Sequence, residues 1–421
     1  MTKLSAARGV KDIVAPEVKL WQYIEKTARE LFGTYGFDEI RIPVFENTSL
    51  FVRSIGDTTD IVEKEMYTFS DRKGRSLTLR PEGTAGVVRA YLERGIGSSA
   101  QVSKLYYSGP MFRYERPQAG RMRQFHQIGA EIIGTKSVLA DVEIIVLGMD
   151  LFNKLGVEGL TLYINSLGCA DCRKDFKKAL EHYLKENEAS LCDDCKKRTK
   201  RNPLRVLDCK VDSKELKNIP FVGDFLCGSC KEHFDQLMAM LESLNVKYTI
   251  DSHLVRGLDY YTGTVFEIKT DVLGAQDAVA AGGRYDNLIC ELGGQEGTGA
   301  VGFSLGMERL VMIIKAQELS VDTGSSAQVY IATLGEKARE YAIGVLFKLR
   351  RAGVFAEMNY DDRSLKAQLR QANKTNADYA LIVGDEELKD GKILLRNMED
   401  SAQSDVALSD VMDTILKKLN I

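Results

Sequence analysis

The sequence has no long hydrophobic run. None of its apolar stretches approaches the roughly 20 residues a bilayer-spanning helix needs, so a helical membrane protein is not expected and no membrane partner is implied. The opening residues, Met1-Thr-Lys-Leu-Ser-Ala-Ala-Arg-Gly-Val10, have no apolar core of the kind a secretory leader carries, and the expected location is the cytoplasm. A dominant charge is also lacking: 57 Lys and Arg face 60 Asp and Glu, a formal net charge of −3. A uniformly basic field is thereby excluded, and any contact with nucleic acid has to come from local basic patches. Internal repeats and low-complexity tracts are absent too. What is there is 421 residues, 44% hydrophobic and 28% charged, enough chain for two or three globular domains. Cysteine is concentrated: seven of the eight lie between Cys169 and Cys230. In a cytosolic chain such crowding points to metal ligands or free thiols before disulfides.

The most informative stretch runs from Met111 to Ile132. It reads as two strands joined by the loop Arg116-Pro-Gln-Ala-Gly-Arg-Met-Arg123, in which Pro117 and Gly120 suit a turn. Strand side chains alternate between faces. On the first arm Arg113 and Glu115 share a face opposite Phe112 and Tyr114. On the second arm Gln124, His126, Ile128, Ala130 and Ile132 share a core-like face, and Phe125, Gln127, Gly129 and Glu131 share the other. That second row offers an aromatic plate, an amide, a gap and a carboxylate, which is not a solvated-surface pattern. With three arginines in the loop, the hairpin suits a polyanion. His126, on the apolar face, is expected to be a hydrogen-bonded packing residue.

Upstream, Leu20, Ile24, Ala28, Leu31 and Phe32 recur at helical spacing and predict a helix over 18–35 ending at Gly36, followed by a strand over 37–43 that closes on Pro43. Leu77-Thr-Leu-Arg-Pro-Glu-Gly-Thr84 predicts a short strand running into a helix over 85–94. Open amides at that helix start favour anions, and Glu82 and Thr84 are placed to hold an ammonium group, unless Thr84 is simply the helix cap. Downstream, a helix is expected over 138–156 and a strand over 160–165. The segment 253–267 reads as strand, 280–286 as a glycine turn bearing Arg284 and Tyr285, and 299–310 as a strand, Gly306 and a helix.

Between 168 and 245 the chain turns charged, helical and cysteine-rich, as an inserted domain would. Cys169-Ala-Asp-Cys172, Cys192-Asp-Asp-Cys195 and Cys227-Gly-Ser-Cys230 are three Cys-x-x-Cys pairs, with Cys209 extra. Two converging pairs fit a tetrahedral zinc site. Cys169, Cys172, Cys227 and Cys230 are the expected set, because they sit where the insertion begins and ends; free thiols without metal are the alternative. The run Lys196-Lys-Arg-Thr-Lys-Arg201 suits either an RNA backbone or a solvated helix face. After a polar linker over 317–326, strands and helices alternate to the end, with strands over 329–333, 354–358, 379–383 and 392–396 and a last helix over 406–419. This is a small α/β domain with a largely parallel sheet, and no Gly-x-Gly-x-x-Gly follows its first strand.

Phe112-Arg-Tyr-Glu-Arg-Pro117 followed by Gly120-Arg-Met-Arg-Gln-Phe-His-Gln127 resembles the second signature motif of class II aminoacyl-tRNA synthetases, in the form found in histidyl-tRNA synthetases of bacterial type. Leu254-Val-Arg-Gly-Leu-Asp-Tyr-Tyr-Thr262 is similar to a signature of that family without a gap, and Ala280-Ala-Gly-Gly-Arg-Tyr-Asp286 to its second one. The 18–43 helix and strand resemble the first class II motif, and 299–310 the third. The resemblance implies a class II antiparallel sheet flanked by helices, a helical insertion and a C-terminal anticodon-binding domain. The boundaries would be 1–167 and 247–320 for the catalytic domain, 168–246 for the insertion, 321–326 for the linker and 327–421 for the last domain. It implies ligation of L-histidine to its cognate tRNA with ATP and Mg2+, through histidyl-adenylate, by a homodimer joined through the first motif.

By the same resemblance, Arg113 and Arg256 would hold the α-phosphate, with Arg256 as the catalytic arginine. Glu115 would sit by the adenine, Phe125 would stack on it, and Arg309 would grip the γ-phosphate with Arg121 near the pyrophosphate. Histidine would be met by Glu82, Gly83, Thr84, Gln127, Glu131, Arg256, Tyr260, Tyr261 and Tyr285. Arg116, Gln118 and Arg123 would approach the tRNA acceptor end, and Arg363, Lys366 and Arg370 the anticodon side. Physical chemistry agrees with the main roles: a planar base suits an aromatic face, a phosphate a forked guanidinium, an imidazole N–H a carboxylate acceptor. Two competing readings are a non-catalytic paralogue, such as the synthetase-like regulatory subunit of histidine biosynthesis, and a synthetase for another amino acid. The former is expected to lack the C-terminal domain and part of the arginine set, both of which this chain has.

Overall fold

The computed structural model describes residues 4–57, 59–98, 101–209, 211–212, 216, 218–273, 277–321 and 327–421. The chain divides into two compact units, Met1–Asp322 and Thr323–Ile421. Among the described residues, no helix is long and apolar enough to cross a membrane.

The first unit is built on an eight-stranded sheet. Its spatial order is Asp38–Glu39, Ser103–Phe112, Gln124–Ile133, Ala300–Gly306, Ala278–Arg284, Thr262–Thr270, Leu160–Ser166 and Tyr248–Ile250. The two edge pairings are parallel and the inner ones antiparallel. Helix Glu17–Thr34 buries Leu20, Trp21, Ile24, Ala28, Leu31 and Phe32 as one stripe and stops at Gly36, whose φ of +76° suits glycine. Helix Val138–Lys154, capped by the Ser137 side chain accepting from the Leu139 amide at 3.3 Å, joins it in covering one face. The other face of the sheet carries the candidate site.

Several elements differ from the sequence expectation. The first arm of the hairpin is Ser103–Phe112, paired in the register Phe112 to Gln124 and Leu105 to Glu131, so Arg113 and Glu115 lie just past the strand end and not within it. The strand over 37–43 shrinks to Asp38–Glu39. Tyr260 and Tyr261 precede the strand Thr262–Thr270 and do not belong to it. Residues 280–284 are an inner strand and not a turn. Its glycines are there because a Cβ on Gly282 would lie 2.3 Å from the Gly302 carbonyl oxygen. Arg284 is buried against Asp141, and its guanidinium also donates to the Thr135 and Ser137 carbonyls at 3.0 and 3.1 Å.

The described residues of 168–246 pack within the first unit. Helix Ala170–Glu186 sends Phe176, Leu180 and Leu184 into the cluster beneath the site, whereas helix Gly228–Ser243 sends Phe234, Leu237 and Leu241 into the core under the covering helices. In helix Asp193–Arg201 the basic run is partly paired: Arg198 meets Asp60 at 3.3 Å and Arg201 meets Glu63 at 3.2 Å.

The second unit is a five-stranded sheet in the order Ala356–Met358, Val329–Leu334, Tyr379–Gly384, Lys392–Asn397, Gln403–Ala407, parallel over the first three strands. Its last strand occupies the region where a helix start is expected, and the helix is Val411–Lys418. Arg363, Lys366 and Arg370 are exposed at and along helix Leu365–Lys374. Of the expected linker, residues 317–321 are described, Gln317 closing helix Met307–Ala316, and 322–326 lie outside the described residues.

Candidate active site

A cavity of about 390 Å³ opens on the sheet face formed by strands Gln124–Ile133, Ala300–Gly306, Ala278–Arg284 and Thr262–Thr270. Arg113, Arg121, Arg256 and Arg309 all line it, from three separate parts of the chain. Each is tethered. Arg113 Nε donates to the Pro81 carbonyl at 2.9 Å, and its guanidinium lies 5.3 Å from the Phe125 ring centre. Arg121 lies 3.3 Å from Glu115, whose other carboxylate oxygen lies 3.9 Å from Arg113. Arg309 donates to the Ala278 carbonyl from Nη1 and reaches the Gly120 carbonyl from Nε at 3.5 Å. Arg256 pairs with Glu267, which also holds Lys269 at 3.2 Å, and stands 5.7 Å from the Tyr261 ring centre. Burial pushes the pKa of Arg309 down, and the neighbouring Arg121 adds to that, which marks a place where positive charge is crowded and an anion is favoured.

The other half of the cavity is enclosed and polar. Glu82 accepts from the amides of Thr84 and Ala85 at 2.7 and 2.9 Å, so the acid, and not Thr84, caps helix Thr84–Glu93. Burial raises the Glu82 carboxyl, and those amide bonds oppose the rise. Gln127 donates from Nε2 to Ser304 Oγ at 3.3 Å, while its Oε1 is buried without a hydrogen-bond partner among the described residues, as is Arg256 Nε. Orphaned polar atoms in a cavity wall are groups that a ligand can complete.

Glu131, Tyr285 and Gly83 lie behind the lining and do not belong to it. Glu131 is 1% exposed; Thr84 Oγ1 donates to one of its oxygens at 2.8 Å and Tyr285 Oη to the other at 2.5 Å. Burial pushes its carboxyl up to about 8. Tyr107, which the sequence reading passed over, fills the space beneath: a Cβ on Gly83 or Gly129 would lie 2.3 or 2.4 Å from its ring. Those two glycines therefore make room for one aromatic ring. Tyr260 lies between Tyr261 and Tyr285, with ring centres 4.7 and 5.7 Å away.

Arg116 and Gln118 are exposed on the loop, outside the cavity lining, and Gln118 bridges to Arg121. Arg123 lies over the Tyr114 ring at 3.9 Å and does not line the cavity. His126 is on the far face, 3.0 Å from Glu308 through Nδ1, with its ring edge-on to Trp21. Lining residues not anticipated are Asp208, Glu267, Lys269, Asp277 and Ser304. Glu267 and Lys269 were accessible to period-two reading, since Thr264, Phe266 and Ile268 alternate with them toward the interior. Asp208 carries no such signal.

The sulfurs of Cys169, Cys172, Cys227 and Cys230 all lie within 4.8 Å of one another, as four ligands of one ion would. Cys169 and Cys227 are the residues just before two helices, and the Cys227 amide donates to Cys172 Sγ at 3.1 Å. One residue on, Arg173 donates to the Tyr261 carbonyl at 3.1 Å, so this cluster adjoins the cavity wall.

The class these features define is a synthetase fold: a mostly antiparallel sheet carrying an arginine-lined cavity, followed by a separate α/β unit. The family profile described as histidyl-tRNA synthetase matches residues 9–310, and that of the anticodon-binding domain matches 328–418. A histidine–tRNA ligase of Halothermothrix orenii is 48% identical over 98% of this chain and 99% of its own length. One of Syntrophotalea carbinolica is 49% identical over 99% of both. The crystal structure of apo histidyl-tRNA synthetase from S. aureus superposes with a TM-score of 0.84 at 35% identity, covering 98% of this chain and all of that one (100%). A Bacillus halodurans structure, described as an ATP phosphoribosyltransferase regulatory subunit/histidyl-tRNA synthetase, shares the fold at TM-score 0.67 and 21% identity, covering 91% of this chain and 98% of its own. The chain belongs to the histidyl-tRNA synthetase family.

Proposed function

We infer that this chain is a histidine–tRNA ligase, joining L-histidine to its tRNA in two steps at the expense of ATP, in the cytoplasm. The observation that carries the reading is the pairing of Arg113 and Arg256 with an enclosed polar pocket in one cavity. The nucleotide lies on the arginine side, with its base on Phe125 near Glu115 and its outer phosphates toward Arg121 and Arg309. The amino acid lies on the enclosed side, with Glu82 and Thr84 near its ammonium group and Gln127, Tyr260 and Tyr261 around its ring. Glu131, Tyr285 and Gly83 act from beneath: Glu131 fixes the hydroxyls of Thr84 and Tyr285 and so the shape of the ring pocket.

A histidine carboxylate oxygen attacks the α-phosphorus, the bond to the β-phosphate bridging oxygen breaks, and pyrophosphate leaves. Negative charge grows on the α-phosphate oxygens during attack, and the fixed guanidiniums of Arg113 and Arg256 meet it. In the second step a terminal ribose hydroxyl of the tRNA takes the histidyl group and AMP leaves. Proximity and charge stabilisation suffice, with no covalent enzyme intermediate. Magnesium would come with the ATP and neutralise phosphate charge; Asp277, beside Arg309, would supply a protein oxygen. Zinc at Cys169, Cys172, Cys227 and Cys230 would be structural. Arg116, Gln118 and Arg123 would approach the acceptor end, and Arg363, Lys366 and Arg370 the anticodon side. Homodimer contact would run through the first motif, residues 18–43, beside which Phe45 and Phe69 form an exposed apolar pair with ring centres 6.2 Å apart.

Histidine-dependent exchange of pyrophosphate into ATP tests the activity. Exchange with histidine and with no other amino acid is expected; none with histidine would favour a ligand-binding paralogue.

A further inference from the structure

A second cluster lies elsewhere in the insertion. Cys192, Cys195, Cys209 and Asp212 each offer one ligand atom, and these atoms all lie within 4.8 Å of one another. The sulfurs of Cys192 and Cys209 are 3.9 Å apart, and the Cys192 amide donates to Asp212 Oδ2 at 3.0 Å. Cys195, Cys209 and Asp212 are 0%, 7% and 3% exposed. Like Cys169 and Cys227, Cys192 is the residue just before a helix, here Asp193–Arg201. A buried carboxylate among three thiols is costly unless something neutralises it, and thiols are weak donors. Three thiolates and one carboxylate oxygen converging on one point are a tetrahedral set for a borderline-soft divalent cation.

We propose that Cys192, Cys195, Cys209 and Asp212 bind a second zinc ion, separate from the site at Cys169, Cys172, Cys227 and Cys230. Its place in the fold gives it a task. The turn between its two halves, residues 202–208, grips the segment that carries Arg256. Arg205 donates to the Gly257 carbonyl at 2.7 Å and reaches Asp259 at 3.1 Å, and Asn202 donates to Asp259 at 3.3 Å. Asp208, adjacent to Cys209, itself lines the cavity. Binding releases the thiol protons and ties the start of helix Asp193–Arg201, which leads into this turn, and Cys209, which follows it, to one ion. The site thus fastens one wall of the active cavity from outside the sheet. Nothing in this chemistry depends on the ligase reading, since metal content and activity are measured apart.

The test uses the untagged full chain, purified without chelator under reducing conditions, loaded with zinc and freed of excess. Native mass spectrometry and elemental analysis should give two zinc ions per chain. The Cys192→Ser/Cys195→Ser variant should hold one fewer than the wild type, whatever the wild-type count. Because that variant could misfold, the wild type is also alkylated with N-ethylmaleimide with and without EDTA, and the modified cysteines are mapped. Cys192, Cys195 and Cys209 should be protected in the zinc protein and become reactive with EDTA, with exposed Cys290 reactive in both. The proposal is overturned if the variant holds as many ions as the wild type, or if labelling of those three cysteines is the same with and without EDTA.

Discussion

Glu131 shows how far burial alters a residue. Its carboxyl is pushed from 4.5 up to about 8, first by burial, although the Tyr285 and Thr84 hydroxyls that donate to it work the other way. A folded-state value above the unfolded one means the folded chain binds the extra proton between those values. This group's contribution is therefore fully present below about pH 4.5, declines as pH rises through about 8, and is flat above that. Melting temperature followed from pH 5 to 9 should fall more steeply in the wild type than in Glu131→Gln; equal slopes would contradict the assignment. Arg256 lines the cavity directly. Arg256→Ala should slow histidine-dependent exchange by on the order of a hundredfold or more, as for loss of a transition-state charge partner; near-normal turnover would remove that role. Both residues were legible in the sequence as members of motifs. What was not legible was that Glu131 lies behind the lining, because strand alternation gives the face and not the depth.

At the level of elements, the hairpin Ser103–Phe112 and Gln124–Ile133 depends on the fit of Tyr107 between Gly83 and Gly129. Gly129→Ala puts a methyl group where the ring already is. It should cost about 1–3 kcal/mol, as overpacking does, read as a lower urea midpoint at unchanged m-value. If the stability is unchanged, the ring moves freely and the contact is not a constraint. Long amphipathic helices such as Glu17–Thr34 were readable within a residue or two because their stripe is buried on one side. The strand Gln403–Ala407 was missed for the opposite reason: only Val406 is buried, so no period-two pattern exists, and backbone pairing with Lys392–Asn397 defines it. The turn bearing Asp208 belongs to the same class, being held by contacts distant in sequence.

At the scale of the molecule, the second unit has its own cores, one around Val329, Leu349, Leu381 and Ile393 and one around Tyr330, Ala372 and Ile382. Such a unit does not need the first to bury its apolar surface. A chain ending at residue 321 should keep histidine-dependent exchange, because the whole cavity lies in the first unit, and should lose most tRNA charging. Loss of both activities together would mean that the cavity relies on the second unit. The separate second unit was readable from the switch from long mixed segments to short alternation; that Phe234 and Phe176 serve different clusters was not, because a helical stripe does not say what it packs against.

The tethers on Arg113 and Arg309 carry a consequence of their own. Each uses Nε to reach a main-chain oxygen, and at Arg113 the outer nitrogens, one of them 3.9 Å from Glu115, then face the incoming ligand. Lysine has one nitrogen and cannot do both. A charge-preserving swap at Arg113 should therefore be nearly as harmful to nucleotide affinity as outright truncation, since aim as well as charge is lost.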